Sequence, residues 1–493
     1  MRLARILLFI AFIVFAYPVV NDPDFGWHLA AGKYYVEQGA IPHRDIFSYT
    51  MSDYSWVNHE YASDALYYVL YLLGGTTTIL ISVLFLGIGL LFYLVLFPQL
   101  FPKTLATEEK LLMGFIALML SRPFWGVRSQ VFDWIGMAGM FLIWNYAVRT
   151  RSWVTLWWIP ILFFVWANVH GGFLIGLMVL SMLVFFEIIS RLKPAFVRSA
   201  HRQSLTMLLK EYKHTFITFL MIVVGSLAAT FLTPYGYDLH SDIWNTVTNQ
   251  AGRSMIAEWQ PVSMTSPHIF PFWLYFVFFI LFLAVGDKFA RFSPQEAVLL
   301  IFFLLMAFSS VRFIPFFVLV SLPMLYGKFF RFPLFVPLLA FAVFTSFFVS
   351  GILPARGTSA NVISPLEYLL TADIYSSGTP AKAFAYLKEH YPDGHVFNEY
   401  DWGGDLIWSF PGAKTFIDGR MSYWRQGGRS IPVDYAAIYY VQQGWYKKIE
   451  EYDIRWFFLK PEAPVAGALD ILTDQWEKKY EDQRAVIFVK RDK

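Results

Sequence analysis

Residues 21–45 read NDPDFGWHLAAGKYYVEQGAIPHRD and follow directly on MRLARILLFIAFIVFAYPVV, which is almost wholly apolar. The apolar segment has nearly the length of a membrane span. The stretch after it brings Asp22, Asp24 and His28, mixed with aromatic residues, to the point where that span ends. Ionisable groups beside a membrane are costly to place, so this sequence predicts a membrane fold with a functional site at its surface.

The composition agrees with a polytopic membrane protein. Of the 493 residues, 57% are hydrophobic, 20% aromatic and only 15% charged, and the mean hydropathy is +0.48. The formal net charge of +3 gives no indication of nucleic-acid binding, and the lack of cysteine excludes disulfides and thiolate metal sites. A signal peptide is the alternative for residues 1–20, but the apolar stretch is longer than usual and has no clear cleavage site. We therefore expect a retained first helix.

Apolar runs of membrane-spanning length predict about eleven transmembrane helices. We place them near 3–20, 77–100, 110–121, 131–148, 153–168, 172–190, 215–232, 270–285, 295–310, 313–327 and 332–350. From residue 351 onward, charges, Gly, Pro and alternating patterns return. The chain therefore divides into a transmembrane domain, 1–350, and a soluble α/β domain, 351–493.

Lysine and arginine fall in alternate loops, which predicts the orientation by the positive-inside rule. With the N-terminus inside, the inner positions hold Arg2, Arg5, Lys103, Lys110, Arg149, Arg151, the run 191–213, Lys288, Arg291, Lys328 and Arg331. The rule then places on the outer face the loops 21–64 and 233–269, the turns near 122–130, 169–171 and 311–312, and the C-terminal domain. The protein is thus expected in the plasma or inner membrane of the cell, with an extracytoplasmic C-terminal domain.

The ionisable residues that are costly for a membrane protein all lie on this outer side or at outer helix ends. They are Asp22, Asp24, His28, His59, Glu60, Arg122, Arg128, His170, Glu258 and Arg312. Their location on one side predicts a single polar site at the outer membrane surface.

Two short acidic stretches are the candidates for acid–base chemistry. Asp22 and Asp24 stand two apart after the first helix, and WVNHEYASD brings His59 and Glu60 back to the membrane. Such groups can accept a proton from a nucleophile or hold a divalent cation against a phosphate. The alternative for Asp22 and Asp24 is that they cap the helix FGWHLAAGKYYVEQG. The nearby aromatics are by default an interfacial belt, made of Trp27, Tyr34, Tyr35, Tyr54 and Trp56.

Three arginines at outer helix ends are candidates for binding a phosphate. Arg122 and Arg128 lie in RPFWGVRSQVFDW, and Arg312 lies in SSVRFIPFF. The guanidinium group matches phosphate oxygens in geometry and charge. Snorkelling to lipid headgroups is the alternative for Arg122 and Arg128, whereas a buried Arg312 requires an anion.

Two more candidates lie in outer turns. His170 precedes two glycines in WANVHGGFLIG, which predicts a tight hairpin where the backbone can approach a ligand; a packing role between helices is the alternative. Glu258, in IAEWQP, is a candidate carboxylate for an acceptor or a metal, and otherwise a solvated loop charge. With Asp24, it is our candidate ligand set for a divalent cation such as Mg²⁺ or Mn²⁺.

The C-terminal domain reads as a small α/β sandwich. We predict strands at HVFN, KTFI, RWFFL and RAVIFVK, and helices at TPAKAFAYLKEHYPDG, capped by Gly394, and at GWYKKIEEY. Its densest polar cluster is NEYDWGGDLIWSFPGAKTFIDGRMSYW, residues 398–424, in which Gly403 and Gly404 indicate a turn. Strand ends can bring together Asp401, Asp405, Asp418 and Arg420. The alternative is a structural turn with a local Asp418–Arg420 pair.

These stretches resemble a known superfamily. A first helix, an acidic and aromatic outer loop, a bundle of spans and an outer C-terminal domain resemble the GT-C membrane glycosyltransferases. DPDFGWHLAAGKYYVEQGAIP is similar to the aspartate-containing first-loop motif of the oligosaccharyltransferase catalytic subunit. EYDWGGDLIW with FIDGR is more loosely similar to its tryptophan-aspartate-tyrosine-glycine acceptor motif, although the order here is Asp401-Trp402-Gly403-Gly404. WANVHGG, TPYG and EWQP resemble stretches of uncharacterised bacterial members.

The resemblance implies a transferase that moves a sugar or oligosaccharide from a polyprenyl phosphate or diphosphate to an extracytoplasmic glycan, lipid or protein acceptor. It implies Asp24 as the general base, assisted by Asp22 or Glu60, and the three arginines at the donor phosphate. His28, His59, His170 and Glu258 would complete the site, and Asp401, Trp402, Asp418 and Arg420 would face the acceptor.

Two other classes of protein fit parts of the pattern. A secondary transporter would also have many helices, but it should show internal repeats and broken helices at membrane depth. We find no convincing repeat, and the acids cluster at one interface. A non-catalytic envelope scaffold would use its outer domain to bind a partner and its charges only as anchors. Activity that depends on Asp24 distinguishes the transferase from the scaffold.

Overall fold

The N-terminal part of the protein is a bundle of apolar helices. The computed structural model describes residues 2–18, 20, 22–96, 107–197, 205–249, 253, 256–266, 269–284, 292–329 and 379–491. The helices before residue 330 are α1 Arg2–Ala16, α2 Phe25–Gln38, α3 Tyr61–Leu96, α4 Thr107–Ser121, α5 Val131–Thr150, α6 Trp158–Val169, α7 Phe173–Val197, α8 Leu205–Glu211, α9 Lys213–Ala229, α10 Tyr237–Thr248, α11 Phe270–Ala284, α12 Pro294–Ser309 and α13 Ile314–Phe329.

Each apolar run predicted to span the membrane forms a helix in the described residues, but the ends differ by a few residues: the first helix ends at Ala16 rather than 20, and the one predicted at 215–232 ends at Ala229. The segment 332–350 lies outside the described residues. Three helical stretches are long and apolar enough to cross a bilayer, namely Tyr61–Tyr93, Val131–Thr150 and Phe173–Lys193, and shorter apolar helices accompany them. Large apolar side chains such as Phe85, Phe164 and Leu220 are exposed on the bundle, as expected for contact with lipid.

Helix α2 follows the first predicted span, as expected, and packs against α3 and the helix Gly403–Ser409. It ends at Gly39, which adopts the left-handed conformation (φ 61°) that glycine allows without strain. Asp24 occupies the N-cap position, but its side chain makes no capping hydrogen bond. Helix α3 bends at Gly74 and Gly75, so its first half lies against α2 and its second half enters the bundle.

The C-terminal region is a mixed α/β unit. Its strand order is β1-β4-β6-β5, with β1 parallel to β4 and the other pairs antiparallel, and β2 and β3 form a short separate hairpin. The strands are β1 His395–Asn398, β2 Arg425–Gln426, β3 Arg429–Ser430, β4 Ile454–Leu459, β5 Trp476–Glu481 and β6 Val486–Lys490. The helices are α14 Ala381–Glu389, α15 Gly403–Ser409, α16 Ile431–Tyr439, α17 Trp445–Glu451 and α18 Pro464–Ile471.

The sheet packs on both faces, and one face reaches the membrane part of the chain. Along β4, Trp456 and Phe458 join a core with α14, whereas Phe457 and Leu459 join a second core. This second core contains residues of the loop 21–64, namely Trp27, Ala31, Tyr35, Met51 and Trp56. The loop and the C-terminal region therefore fold as one unit. The predicted boundary at 350/351 lies outside the described residues.

Glycines allow α2 and α15 to meet backbone to backbone. A Cβ atom on Gly26 would collide with the carbonyl of Gly404, and one on Gly404 would collide with the carbonyl of Pro23. Gly403 and Gly404 therefore begin a helix and allow close packing, and the prediction that they form a turn is wrong. A glycine pair in sequence indicates a missing Cβ but not whether a turn or a contact requires it.

Two predictions for the C-terminal region are wrong for local reasons. KTFI is not a strand: Thr415 exchanges backbone hydrogen bonds with the loop at Phe47 and Tyr49, and the Phe416 N–H donates to the Asn398 side chain. Helix α14 ends at Glu389 rather than reaching Gly394, because Pro392 disfavours helical backbone before it. Strands β1, β4 and β6 and helices α14 and α17 are confirmed, whereas the charged, largely exposed edge strand β5 gave no apolar signal.

Gly26→Ala is expected to loosen the contact between α2 and α15. The added methyl meets backbone that cannot move aside, so we expect a loss of about 1–3 kcal/mol of folding stability, measured as the thermal unfolding midpoint in lipid nanodiscs. Gly467→Ala is the matched control, because a Cβ there meets nothing within 4 Å. Equal unfolding midpoints for the two variants would show that the close approach is not needed.

Candidate functional site

The predicted outer segments meet at one end of the bundle, which we call the site end. It contains residues 22–64, 122–130, 170–172, 256–266 and 310–313, with the C-terminal region packed against it. Arg128 connects two of these segments, and the Gln130 side chain donates to the Arg312 carbonyl. The prediction that these segments share one face is confirmed by these contacts. Its assignment as the outer face rests on the lysine and arginine pattern.

Arg128 links two of the predicted site carboxylates. Its Nε lies 2.8 Å from Asp22 Oδ2, and its Nη2 donates to Glu258. All three side chains are largely buried. The negative charges raise the pKa of Arg128 well above its usual range, although burial alone would lower it. The three residues, one guanidinium and two carboxylates, form a paired unit with a net charge of about −1, which we call the Arg128 bridge.

Asp24 differs from Asp22 in its surroundings. Asp22 Oδ1 accepts the Asp24 backbone N–H at 3.0 Å, and its other oxygen binds Arg128. The partly buried Asp24 carboxyl instead makes no ion pair with any residue that the structure describes, and it lies against Gly419, where even a Cβ would collide with it. Asp22 is therefore a structural partner of Arg128, and Asp24 is the acid available for chemistry.

Burial raises the pKa of Asp24 to about 8, and the negative charges of Asp22 and, to a lesser extent, Asp418 act in the same direction. His28 and the Trp27 indole oppose this shift only in part. An acid whose pKa lies near neutral pH can exchange a proton with a substrate in either direction.

Glu60 lies at the centre of a second group, the histidine–carboxylate cluster. Its two oxygens lie 3.5 Å from His28 Nε2 and 3.2 Å from His170 Nε2. Each of these imidazoles uses its Nδ1 to contact a further buried acid at 2.6 Å, Asp64 for His28 and Asp133 for His170. Asp133 also accepts from the Trp166 indole, and Asp64 accepts from Asn58.

The charges in this cluster stabilise one another. Burial opposes the charged form of His28, but Asp64 and Glu60 raise its pKa to about 10. Burial likewise opposes the charged form of His170, but Asp133 and Glu60 raise its pKa to about 9. Burial alone would raise the pKa of Glu60, but the imidazoles lower it below its usual range. The His28 and His170 rings each contact a carboxylate through both nitrogens, which fixes the orientation of each ring.

His59 differs from the other two histidines. Burial lowers its pKa to about 4, so the ring is neutral at physiological pH. Its Nδ1 lies 4.0 Å from Asp242 Oδ2, a buried oxygen that has no hydrogen-bond partner within the described part of the chain. The other Asp242 oxygen accepts from Tyr423 at 2.7 Å, which connects α10 to the C-terminal region.

Two of the predicted phosphate-binding arginines have no acidic partner. Neither Arg122 nor Arg312 lies within ion-pair distance of a carboxylate among the residues described. Arg122 donates to the Trp125 carbonyl, and Arg312 stacks 4.4 Å from the centre of the Trp259 ring. Burial lowers the pKa of Arg122 below its usual range. An anionic ligand is a natural partner for such charges.

An apolar crevice begins next to Arg122. It runs between α1, α3, α4 and α13 and is lined by residues that include Ser121, Trp125, Gly87, Gly114, Leu118 and Val318. Such a lining accepts hydrocarbon rather than water. An apolar chain in this crevice could therefore have its polar end close to the Arg122 guanidinium, which has no acidic partner among the described residues.

The predicted acceptor residues occupy three different environments. Asp401 is exposed and pairs with Lys460, and Trp402 is buried against Phe458. Asp418 and Arg420 form the expected local pair, completely buried, and Arg420 also binds Asp45 of the loop 21–64 at 2.7 Å. The local pair is thus present and also links the C-terminal region to the loop.

Sequence reasoning missed the acids that hold the histidines, namely Asp64, Asp133 and Asp242. Asp64 and Asp133 each lie in the first turn of a long apolar helix. That position is the signal that would have found them, since an acid there faces either the bundle interior or a ligand. Their partners are far away in sequence and follow only from the tertiary fold.

The predicted metal ligands Asp24 and Glu258 do not fit a metal site well. Arg128 pairs with both Glu258 and Asp22, and within the described residues Asp24 is not part of any group of three ligand side chains close enough to share one cation. In the part of the chain that the structure describes, the group of three ligand side chains close enough to share one cation is His59, Glu60 and His170.

Removing the positive charge of Arg128 is expected to destabilise the protein. Arg128→Gln leaves two buried carboxylates unpaired, at a cost of roughly 3–5 kcal/mol in unfolding free energy. Adding Asp22→Asn and Glu258→Gln should recover most of that loss. Arg44→Gln is the control, because its pair with Asp53 is exposed and contributes less than about 1 kcal/mol. A loss as small as that of the control would contradict the importance of the Arg128 bridge.

Comparison with known proteins supports the architecture. No protein-family model matches the sequence, and no curated protein matches it significantly. Solved structures of the oligosaccharyltransferase AglB from Archaeoglobus fulgidus do match, each covering 99% of this chain and 74% of the other. The apo form matches with a TM-score of 0.58 and 11% identity, and the form tethered to an acceptor peptide with the NVT sequon matches with 0.54 and 10%. The complex with an inhibitory peptide and a dolichol-phosphate matches with 0.56 and 12%. The chain therefore has an oligosaccharyltransferase-like fold and is an integral membrane protein.

Proposed function

We propose that the protein is a membrane glycosyltransferase that moves a sugar or oligosaccharide from a polyprenyl phosphate or diphosphate to an acceptor outside the cytoplasm. The observation that carries this proposal is the occurrence of an unpaired acid, Asp24, and arginines without acidic partners at one end of an oligosaccharyltransferase-like bundle. The fold alone supports only the general class, so the residues of the site carry the argument.

Asp24 acts as the general base. The acceptor O–H or N–H gives its proton to the Asp24 carboxylate while the acceptor atom forms a bond to the anomeric carbon of the sugar. The bond between that carbon and the phosphate oxygen breaks, and its electron pair leaves with the phosphate. Asp22 does not serve as the base, because Arg128 already uses its carboxylate.

Arg122 and Arg312 bind the phosphate that leaves. Each lacks an ion pair in the described chain, so neither has to break one to bind a donor. Negative charge accumulates on the phosphate as the glycosidic bond breaks, and a guanidinium stabilises it in the transition state. The apolar crevice that begins at Ser121 holds the first isoprene units of the donor. Arg128 is not a donor ligand in this scheme, since Asp22 and Glu258 occupy it.

The C-terminal region places its backbone over Asp24. Gly419 lies directly against the Asp24 carboxyl, and the Tyr400 hydroxyl donates to the Gly419 carbonyl. An acceptor must approach beside this contact, so we propose that residues near Tyr400 and Gly419 border the acceptor path. No step of this mechanism uses a metal at Asp24, because its neighbours lack a suitable set of ligands.

Asp24→Asn is expected to abolish donor turnover. We would measure release of sugar from radiolabelled polyprenyl-phosphate and polyprenyl-diphosphate sugars by the purified chain in nanodiscs. The variant should lose roughly 100- to 10,000-fold in rate, because it lacks the proton acceptor. Asp53→Asn is the matched control, since Asp53 is an exposed acid of the same loop. If no donor is turned over, or if Asp24→Asn matches the wild type, the transferase proposal fails and a scaffold role becomes the better explanation.

Donor turnover should depend on pH through Asp24. The folded-state pKa is raised to about 8, so the base is protonated and inactive below that pH. The rate should rise about tenfold per pH unit up to about 8 and then level off. The charged groups facing Asp24 are Asp22, His28 and Asp418. Burial opposes the charged form of His28, but Asp64 and Glu60 raise its pKa to about 10, so the charge of His28 is constant below pH 8. A flat profile for the wild type would exclude Asp24 as the base.

A further inference from the structure

Glu60 and His170 of the histidine–carboxylate cluster, together with the neighbouring His59, are arranged like metal ligands. One ligand atom from each of His59, Glu60 and His170 lies within 4.8 Å of the others, and Glu60 and His170 are buried. We infer that these three residues bind a transition-metal dication of the zinc class, at a position separate from Asp24 and the Arg128 bridge. This inference does not rest on the proposed transferase activity.

The spacing fits a tetrahedral ion. Zinc lies about 2.0–2.1 Å from nitrogen or oxygen ligands, so two ligands of a tetrahedral site are roughly 3.4 Å apart. Glu60 Oε1 and His170 Nε2 are 3.2 Å apart. The His59 ring is the third ligand, with its centre 5.9 Å from that of His170, and a small shift of this partly exposed side chain completes the site.

His170 already has the orientation of a metal ligand. Its Nδ1 lies 2.6 Å from Asp133 Oδ2 and 3.2 Å from the Gly172 backbone N. Because the carboxylate can only accept and this contact is the shorter one, we assign the ring proton to Nδ1. The Nε2 atom is then directed at Glu60. Asp133 is itself fixed by the Trp166 indole and by Gly172, at which a Cβ would collide with the carboxylate. Metal-binding histidines generally have such a carboxylate on their second nitrogen.

His59 has a matching acid that lacks a partner. Asp242 Oδ2 is buried, has no hydrogen-bond partner within the described residues, and lies 4.0 Å from His59 Nδ1. Binding of a metal to His59 Nε2 places the ring proton on Nδ1, where it can be donated to this oxygen. Metal binding would therefore satisfy a buried acceptor, which supports an ion over a purely structural histidine.

The ligand types select the metal. Two imidazoles and one carboxylate suit Zn²⁺ and its first-row neighbours, whereas Mg²⁺ and Ca²⁺ prefer oxygen ligands throughout. Three protein ligands leave a fourth position for water or another oxygen donor. Since Glu60 precedes α3 and His170 joins α6 to α7, the ion would tie these helices together at the site end.

The test is metal content and coordination, measured independently of transferase activity. The full chain is purified through a tag without histidine, loaded with Zn²⁺ or Co²⁺ in nanodiscs, and washed. We expect one metal ion per chain by mass spectrometry and a tetrahedral Co²⁺ absorption spectrum. The unfolding midpoint should fall when a chelator removes the ion, because an ion that binds only the folded state stabilises it.

Variants separate the ligands from other histidines. His59→Ala should lose the Co²⁺ spectrum yet remain folded, because the side chain is partly exposed. Asp133→Asn should weaken binding by about 10- to 100-fold without abolishing it, since Asp133 positions His170. His390→Ala is the control, since this exposed histidine of the C-terminal region bonds only locally.

Either of two results would overturn the inference. If the wild-type protein retains less than about one metal ion per chain, the histidines of the cluster are protonated and form ion pairs with the carboxylates instead of binding a metal. Equal metal content in His59→Ala and His390→Ala would place the ion elsewhere. Neither result affects the donor-turnover test, because Asp24 and its neighbours are not part of this site.

Discussion

The close approach of α2 and α15 determines the rest of the site. Gly26 and Gly404 have no side chains, so the two backbones touch, and this contact positions the C-terminal region over the loop that follows the first span. Asp24, in the turn before α2, is thereby brought against Gly419. The buried Arg420–Asp45 pair connects the same two parts of the chain a short distance away. The backbone of the C-terminal region therefore lies directly against the Asp24 carboxyl.

The site end contains many buried charged side chains. Most of its acids pair with either an arginine or a histidine. Arg128 neutralises Asp22 and Glu258, and imidazoles neutralise Glu60 and its neighbours. Paired buried charges add little net stability, but removing one partner is costly, so each network fixes its segments in one arrangement. The fold thus uses most of its acids to hold the site end together.

Much of the architecture could be predicted from sequence, because a bilayer imposes length and polarity on the chain. Hydropathy located most of the apolar helices to within a few residues, although α3 begins at Tyr61 rather than near residue 77. The lysine and arginine pattern grouped the loops that meet in space. Partners could not be predicted. Arg128 is a residue of the type expected to bind a phosphate, but it binds two acids that are distant from it in sequence. KTFI has the composition of a strand, but its backbone pairs with the loop at Phe47. Both outcomes depend on which distant segment arrives beside the residue, and composition does not encode that.

The pairing pattern also identifies where a ligand is needed. Asp22 is bound to Arg128, Glu60 is surrounded by imidazoles, and only Asp24 among the three predicted catalytic acids makes no ion pair in the described structure. Burial and the charge of Asp22 raise the pKa of Asp24 to about 8, and His28 offsets this shift only in part. Arg122 and Arg312 have the opposite deficiency, because neither forms an ion pair with a carboxylate among the described residues, although the charges of Glu258, Asp133 and Glu60 act on Arg312. In the proposed glycosyl transfer, the phosphate of the donor would pair with these arginines and the proton of the acceptor would pass to Asp24. The proposal thus assigns the unpaired charges of the site end to the two reacting groups and the paired charges to holding the segments in place.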